Sequence, residues 1–222
     1  HYQKGFHVTG TVGSFSATAA AGRMLGLSDH QLAVAFGIAA TQAAGLKSNF
    51  GTMCKPLHAG TASEHGLRAA RLAAKGFTAR GDSLECDQGF ASSQSDHLNA
   101  EAALGEPPSG WHLRNNLFKY HAACYLTHAP IECAKEIRLK NNFPPERVQK
   151  ILLRIDSGAD KVCNIPNPTT GLEAKFSLRQ TVAMALTGVD TANLESYNEA
   201  VTQEPRIRGL RDKMAIEFQP HW

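Results

Sequence analysis

No apolar run in this 222-residue sequence approaches the roughly 20 residues that a membrane-spanning helix requires. Runs of five or more basic residues are also absent, because 23 lysines and arginines are dispersed among 20 acidic residues. With a net charge of only +3, we expect neither a nucleic-acid partner nor a membrane partner. A content of 42% hydrophobic and 19% charged residues is typical of a globular protein, and we expect a cytoplasmic one.

Cysteine is scarce, and its five occurrences are widely separated: Cys54, Cys86, Cys124, Cys133 and Cys163. No C-x-x-C pair occurs, so the sequence predicts neither a structural zinc site nor a disulfide framework. Free thiols are expected in a reducing compartment, in agreement with a cytoplasmic location. The ten histidines form no H-E-x-x-H pattern. His58 and His65 have no suitably spaced acidic partner, and we therefore expect no metal.

Motifs that bind nucleotides or carry a nucleophile are missing. The glycines of residues 10–13 open a helical segment but follow no strand, which argues against a dinucleotide-binding loop. No G-x-S-x-G motif occurs, and Cys54 lacks the sequence context of the cysteine hydrolases. The sequence therefore predicts no cofactor.

Three long segments in the first half are rich in alanine and other small residues: 11–25, 29–44 and 58–76. Ser28 and Gln31 have the spacing of a capping box, which predicts that the second helix begins after Ser28. The first segment has so little polar surface that we expect it to be buried between other helices. Small residues allow close helix contacts, so the first half is predicted to be an all-α bundle.

Residues 106–110 (EPPSG) have a composition that no regular element tolerates, and we place a domain boundary there. Strand and helix patterns alternate beyond it: strands at 148–155, at 215–218 and within 111–120, and helices at 125–139 and 174–186. The predicted fold class is therefore mainly α. It consists of an all-α helical domain in residues 1–108 and a smaller α+β domain in residues 109–222.

Basic side chains recur in the short connections between these segments: His7, Lys55, His58, Lys119 and His121. Pro56 disfavours helix at the residue before it, so we expect Lys55 on an irregular link of fixed geometry. Lysine and histidine in one cleft can bind carboxylates and move a proton at the carbon next to a carboxylate. For each residue taken alone, a solvated or structural role is the alternative.

Five stretches in order along the chain resemble the MmgE/PrpD family: GFHVTGTVG at 5–13, FGTMCKPLHAG at 50–60, FKYH at 118–121, THAPIE at 127–132 and EAKFSL at 173–178. That family includes 2-methylcitrate dehydratases, cis-aconitate decarboxylases and iminodisuccinate epimerases. The resemblance implies a large helical domain and a smaller α+β lid domain, with the active site in the cleft between them. It also implies a homodimer and a metal-free reaction on a small polycarboxylate.

The resemblance further implies which residues form the site. The histidine of the G-F-H motif and the lysines of the K-P-L-H and F-K motifs are His7, Lys55 and Lys119, which we expect to be catalytic. The two lysines would pair with substrate carboxylates and stabilise an enolate-like charge, and the histidine would act as general acid or base. Other residues expected to contact the substrate are Thr52, Cys54, His58, His121 and Cys124.

Two departures from the decarboxylases of the family favour a different reaction. Those proteins have a histidine where this sequence has Cys124, and a tyrosine ahead of an N-x-P loop where residues 161–164 (KVCN) offer none. We therefore expect a hydro-lyase that dehydrates a 2-methylcitrate-like hydroxy acid. An epimerase of an iminodisuccinate-like dicarboxylate is an alternative.

The sequence does not begin with methionine, and it lacks the family's earlier helices and the helices that follow the lid domain. We therefore expect the chain to be part of a longer family member. A non-catalytic, truncated member is the further alternative that this expectation leaves open.

Overall fold

The computed structural model describes residues 1–106 and 110–220 and contains two compact units. Unit 1 comprises His1–Asn49 and Met53–Asn115, and unit 2 comprises Phe50–Thr52 and Asn116–Trp222. The boundary placed between residues 108 and 109 lies outside the described residues. The domain ranges inferred from composition therefore stay a prediction.

Helices make up most of both units in the described part of the chain. The α-helices of unit 1 are α1 (Val8–Met24), α2 (Asp29–Ala40), α3 (Cys54–Ala74), α4 (Phe90–Gln94) and α5 (Ala100–Leu104). Those of unit 2 are α6 (His128–Asn141), α7 (Asp160–Cys163), α8 (Gly171–Ala174), α9 (Leu178–Thr187), α10 (Glu199–Gln203) and α11 (Pro205–Asp212). Short 3-10 helices occupy Tyr2–Lys4, Lys47–Asn49, His112–Asn115, Tyr125–Thr127, Pro145–Arg147, Ser157–Ala159 and Leu194–Ser196. Strands β1 (Ile151–Asp156) and β2 (Met214–Gln219) form one small parallel sheet in unit 2, which confirms the mainly α class with a smaller α+β part.

The corner between α1 and α2 has the form that the sequence predicts. Gly26 follows α1 with φ +68°, and the Leu27 N–H donates to the Gly22 carbonyl oxygen at 3.0 Å. This bond satisfies a carbonyl group at the helix end, where glycine avoids the strain of a left-handed conformation. The predicted capping box is confirmed, because Ser28 and Gln31 exchange backbone and side-chain hydrogen bonds at the start of α2.

Helices α1 and α3 contact each other through small residues. The buried side of α1 consists of Gly10, Thr11, Ser14, Thr18 and Gly22. A Cβ added at Gly66 of α3 would lie 2.4 Å from Ala17 Cβ, so this approach requires glycine. The expectation that α1 is buried between other helices is met on this side only, since Val12 is 42% exposed. A helix of small residues can pack through one stripe and leave its other faces in water.

Two glycines of α1 are expected to respond differently to replacement by alanine. A Cβ at Gly10 would lie 2.3 Å from the Ala44 carbonyl oxygen, whereas one at Gly13 would meet Ala62 Cβ at 3.6 Å, an ordinary contact. Gly10→Ala should lower the free energy of unfolding by roughly 1–3 kcal/mol. Gly13→Ala should leave it unchanged or raise it by up to about 1 kcal/mol. Urea-unfolding midpoints measure both, and equal midpoints would contradict the close approach at Gly10.

Helix α2 ends at Ala40, four residues earlier than the sequence analysis expects. The side chains of Thr41 and Gln42 donate to the Ile38 carbonyl oxygen at 2.9 and 3.2 Å. Polar side chains thereby bind an acceptor at the end of the helix and favour its termination there.

The strand expected within residues 111–120 is not formed. This stretch contains a 3-10 turn at His112–Asn115 followed by irregular chain. Trp111 and Leu113 are 74% and 75% exposed, so the apolar residues that suggested a strand are not covered by a sheet face. An isolated strand without a pairing partner has no backbone acceptors to stabilise it.

The sheet of unit 2 confirms the other two expected strands. Ile151 lies opposite Met214 and Asp156 lies opposite Gln219, which places β1 and β2 in parallel register. Helix α9 lies at the core of the unit, with nearly all its residues buried, and α6 and α11 pack against it. No helix in the described ranges is long and apolar enough to cross a membrane.

Helix α9 also differs from the expected helix at 174–186. The hydroxyl of Ser177 accepts a hydrogen bond from the Gln180 N–H at 3.2 Å and caps the start of α9. The chain before it forms the separate short helix α8, capped in turn by Thr170. A serine inside an apolar pattern thus divides it into two helices, because its side chain satisfies an N–H that would otherwise lack a partner.

Candidate functional site

His7 is held at the start of α1 by its own backbone. Its N–H donates to the Gly45 carbonyl oxygen at 3.0 Å, and its carbonyl oxygen accepts from the Thr11 N–H at 3.1 Å. The side chain is buried, with 7% of its surface exposed. Gly45 has φ +144°, and a Cβ there would lie 3.4 Å from the ring of His58. Glycine avoids the strain that a side chain would suffer in this backbone conformation, next to the His58 ring.

The imidazoles of His7 and His58 form a pair. Their Nδ1 atoms lie 2.9 Å apart, and the ring centroids are 5.1 Å apart. In such a contact one nitrogen donates a proton and the other accepts it, so one ring of the pair must be neutral. The two rings together can therefore accept one further proton.

Lys55 lies in the first turn of α3, which begins at Cys54. The expectation of an irregular link at Lys55 is wrong, because Pro56 occupies the third helical position. A proline is tolerated there, since the first N–H groups of a helix have no acceptor within the helix. Lys55 and His58 are three positions apart and therefore lie on one face of α3. Both side chains are partly buried.

The three residues His7, Lys55 and His58, which we name the histidine–lysine cluster, share one electrostatic environment. Burial lowers the pKa of His7 from 6.5 to about 4, and electrostatic interaction with Lys55 and then with His58 contributes to the same shift. His7 is therefore neutral at physiological pH and able to accept a proton. The structure brings these three predicted site residues together in unit 1.

Thr52 and Cys54 are both exposed. Thr52 belongs to unit 2, where the preceding Phe50 ring lies 5.5 Å from the ring of Phe176. Cys54 is the first residue of α3 in unit 1. The contacts to substrate expected from these two residues stay a prediction.

Lys119 of unit 2 is exposed, and its Nζ donates to the Ala123 carbonyl oxygen at 3.0 Å. A second lysine, Lys175, lies in the same region and was not assigned a role from the sequence. Burial lowers the pKa of Lys175, and the charge of Lys119 lowers it further. Lys175 lies in the EAKFSL stretch, which resembles the family and could have drawn attention to this lysine. Its proximity to Lys119, however, depends on the fold.

His121 is buried, and both of its ring nitrogens face protein groups. Nδ1 lies 2.9 Å from the Thr191 hydroxyl, within hydrogen-bonding distance. Nε2 lies 2.8 Å from Glu132 Oε1, but the angle of this contact does not suit a hydrogen bond. Burial lowers the pKa of His121, while the Glu132 carboxylate opposes this shift. A substrate contact through His121 would have to replace one of these neighbours, and the expected role stays a prediction.

Cys124 is partly buried and packs against the apolar cluster of Ala159, Cys163 and Leu178. The contact with Cys124 raises the pKa of the Cys163 thiol, and burial raises it further. Cys163 is therefore a neutral thiol that takes no part in proton transfer near neutral pH. In residues 1–106 and 110–220, no group of three or more His, Cys, Asp or Glu side chains is placed to hold a metal ion.

Sequence comparisons identify the relatives of this chain. The MmgE/PrpD N-terminal domain matches residues 1–102, and the MmgE/PrpD C-terminal domain matches residues 121–222. The cis-aconitate decarboxylase of Homo sapiens is 30% identical over 98% of this chain and 46% of its own length. The decarboxylase of Mus musculus is 29% identical over 98% of this chain and 45% of its own length. That of Aspergillus terreus is 26% identical over 82% of this chain and 40% of its own length.

The chain thus spans about half the length of the curated relatives it matches. The two domain matches lie in consecutive order and leave only a short segment unmatched between residues 102 and 121. The resemblance that rested on five short stretches is confirmed over nearly all of the sequence. The chain belongs to the MmgE/PrpD family.

Proposed function

We propose that this chain acts as a metal-free lyase on a small polycarboxylate. The observation that carries the proposal is the histidine–lysine cluster, in which a buried, neutral His7 lies beside His58 and the ammonium group of Lys55. Such a combination suits removal of a proton from the carbon next to a carboxylate. Family membership supports the proposal, and the relatives compared above are themselves lyases by name, as cis-aconitate decarboxylases.

In the proposed reaction, His7 accepts a proton from the carbon next to a substrate carboxylate. With a pKa of about 4, its imidazole is unprotonated at neutral pH and available for this step. The electron pair of the broken C–H bond moves toward the carboxylate, where the Lys55 ammonium stabilises the enolate-like charge. His58 orients the His7 ring and shares the added charge through the contact between their Nδ1 atoms. The carboxylate-binding role of Lys119, which the family resemblance implies, stays a prediction.

Dehydration of a 2-methylcitrate-like hydroxy acid is the specific reaction we propose. The electron pair from the C–H bond forms a carbon–carbon double bond, and the C–O bond of the neighbouring carbon breaks. The departing hydroxide takes up the proton from the protonated His7 imidazole and leaves as water, which returns the ring to its neutral form. Cys124 supports this choice, because it packs beside the buried Cys163 and offers no imidazole to protonate a carbon that has lost carbon dioxide.

Decarboxylation of cis-aconitate is the second candidate, because the relatives with 30% and 29% identity are named for that reaction. Epimerisation is less well supported. An epimerase needs two bases on opposite faces of one carbon. His7 and His58 instead bond to each other and so form one proton-accepting unit.

A product assay by NMR tests the proposed function. The protein would be offered 2-methylcitrate, citrate, cis-aconitate and iminodisuccinate in heavy water. An olefinic product from a hydroxy acid supports dehydration, and loss of carbon dioxide from cis-aconitate supports the second candidate. Deuterium incorporation without elimination would replace both with an epimerase. Absence of any turnover or exchange would overturn the lyase proposal for this chain.

The pKa of His7 is expected to rise when the charge of Lys55 is removed. Lys55 lowers this pKa at present, so Lys55→Met should move it from about 4 toward the ordinary value of 6.5. Titration of the His7 imidazole by NMR measures the change directly. Lys75→Met, which removes an exposed lysine after the end of α3, is the control and should leave the His7 titration unaltered. If the His7 pKa were the same in Lys55→Met and Lys75→Met, Lys55 would not contribute to the electrostatic environment of His7.

Self-association as a homodimer is also part of the proposal, as the family resemblance implies. Sedimentation velocity at several protein concentrations tests it. A species with the mass of two chains, present down to micromolar concentration, is the expected result. A mass of one chain at every concentration would contradict it.

A further inference from the structure

Unit 2 contains two lysines that have no acidic partner among the described residues. The Nζ of Lys119 donates to the Ala123 carbonyl oxygen, its one hydrogen bond in the described ranges. The Nζ of Lys175 forms neither a hydrogen bond nor an ion pair there and lies 5.5 Å from the centre of the Tyr197 ring. A partly buried ammonium group without a counter-ion is unfavourable, because burial removes part of its hydration.

One peptide group connects the two lysines. The carbonyl of Ala123 accepts from Lys119 Nζ at 3.0 Å, and the N–H of the same peptide group, from Cys124, donates to the Lys175 carbonyl oxygen at 2.9 Å. The ammonium group of Lys119 and the backbone of Lys175 therefore lie on opposite sides of a single planar group. The fold holds these two residues close to each other although they are far apart in the sequence.

Positive charge exceeds negative charge around Lys119 and Lys175. The positive charge of Lys119 lowers the pKa of Lys175, and no carboxylate acts on Lys175 in the opposite direction. Glu173, two residues before Lys175, accepts from Thr169 and Thr170, and Glu132 contacts His121 and Lys135. Like charges held together raise the free energy of the folded protein unless an anion binds between them.

His128 provides a third, independent observation. Its side chain is only 8% exposed, and its Nε2 atom is buried without a hydrogen-bond partner of good geometry among the described residues. The rings of Tyr125 and His121, with centroids 5.1 and 4.9 Å away, hold the imidazole in place. Burial lowers the pKa of His128 and the charge of Lys119 adds to this shift, and the backbone of Ala123, which accepts from Lys119, also interacts with the imidazole. The backbone groups of Ala123 and His121 lie near this imidazole without a well-directed hydrogen bond to Nε2, which leaves that atom poorly satisfied.

We propose that Lys119, Lys175 and His128 form a binding site for a dicarboxylate, with one carboxylate on each ammonium group and a hydrogen bond from the imidazole. Lysines act as separate point charges, which suits two carboxylates at a distance better than one planar anion. The ligand class rests on the proposed function, whereas the site itself rests on these contacts. The inference assigns Lys175 as a carboxylate-binding residue.

Calorimetric titration with succinate, a dicarboxylate without a hydroxyl group to eliminate, tests the site. Lys175→Gln should raise the Kd for succinate about tenfold, the effect of losing one charge-assisted contact. Propionate, with one carboxylate, should bind more weakly to the wild-type protein and be affected less by the substitution. Lys175→Arg keeps the charge and should restore most of the succinate affinity. Thermal unfolding establishes that each variant is folded.

Lys161→Gln is the matched control, because Lys161 is an exposed lysine of the same unit. It should leave succinate binding unchanged, and a loss equal to that of Lys175→Gln would overturn the site in favour of diffuse charge attraction. Inorganic phosphate should compete poorly with succinate, and tighter binding of phosphate would overturn the choice of a dicarboxylate. Absence of succinate binding to the wild-type protein would overturn the inference itself.

Binding and turnover separate this inference from the proposed function. Succinate binding that depends on Lys175, without turnover of any polycarboxylate, would retain the site and remove the lyase. Turnover of a polycarboxylate with unchanged succinate affinity in Lys175→Gln would retain the lyase and remove the site.

Discussion

Replacement of His7 by glutamine is expected to lower kcat for the polycarboxylate substrate by roughly 10²- to 10⁴-fold, the range for loss of a general base. Glutamine has polar atoms that can bond to His58, but its amide cannot accept a proton at neutral pH. The substitution therefore removes the proton-accepting group but keeps a polar side chain in contact with His58. NMR assays of product formation measure the rate, and circular dichroism melting measures the folded state.

His30→Gln is the control for this variant, because His30 is an exposed histidine of α2 in the same unit. It should retain the full rate. Exchange of the substrate proton in heavy water should be lost in His7→Gln together with elimination, since both need the same base. A His7→Gln protein that retains more than a tenth of the wild-type rate would place the base elsewhere.

Lys55→Met is expected to lower kcat/KM by roughly 10²- to 10³-fold, because it removes the cation proposed to stabilise developing charge on the substrate. The fold should be preserved. A positive charge in the first turn of α3 is unfavourable toward the helix dipole, so its removal should change the unfolding free energy by no more than about 1 kcal/mol. Steady-state kinetics and urea unfolding of one protein preparation test both statements.

Lys55→Arg and Lys75→Met are the matched variants for this experiment. Arginine retains the charge with a different shape and should recover part of the lost kcat/KM. Lys75→Met removes an exposed lysine after the same helix and should behave as the wild type. Unchanged turnover in Lys55→Met would exclude Lys55 from the mechanism, and a collapse of stability would mean that its role is structural.

Local signals in the sequence predict local structure well. The capping box at Ser28 and the terminating Gly26 depend on residues a few positions apart, and both were found in the structure. The start of α3 was mispredicted because the rule for residues before proline competes with the tolerance of proline in a first helical turn. The strand expected within residues 111–120 failed for another reason, since strands need a partner that local patterns do not specify.

The site was only partly predictable for a similar reason. Family motifs indicated His7, Lys55 and His58, and the structure places the three in one cluster. The hydrogen bond between the two histidines joins residues 51 positions apart and depends on the backbone at Gly45, so no local pattern reveals it. Lys175 was missed because its significance comes from an imbalance of charge, which requires knowing which carboxylates are near.

Phe50–Thr52 belongs to unit 2, although the flanking chain on both sides belongs to unit 1. Phe50 lies against Phe176, and a Cβ at Gly51 would come within 2.7 Å of Ile165 Cδ1. If the gene were divided between the regions that encode the two family domains, the C-terminal product would therefore lack residues 50–52, which belong to unit 2. Recombination that exchanged only the C-terminal family domain would also leave residues 50–52 behind. The two domains are therefore best encoded together in one reading frame.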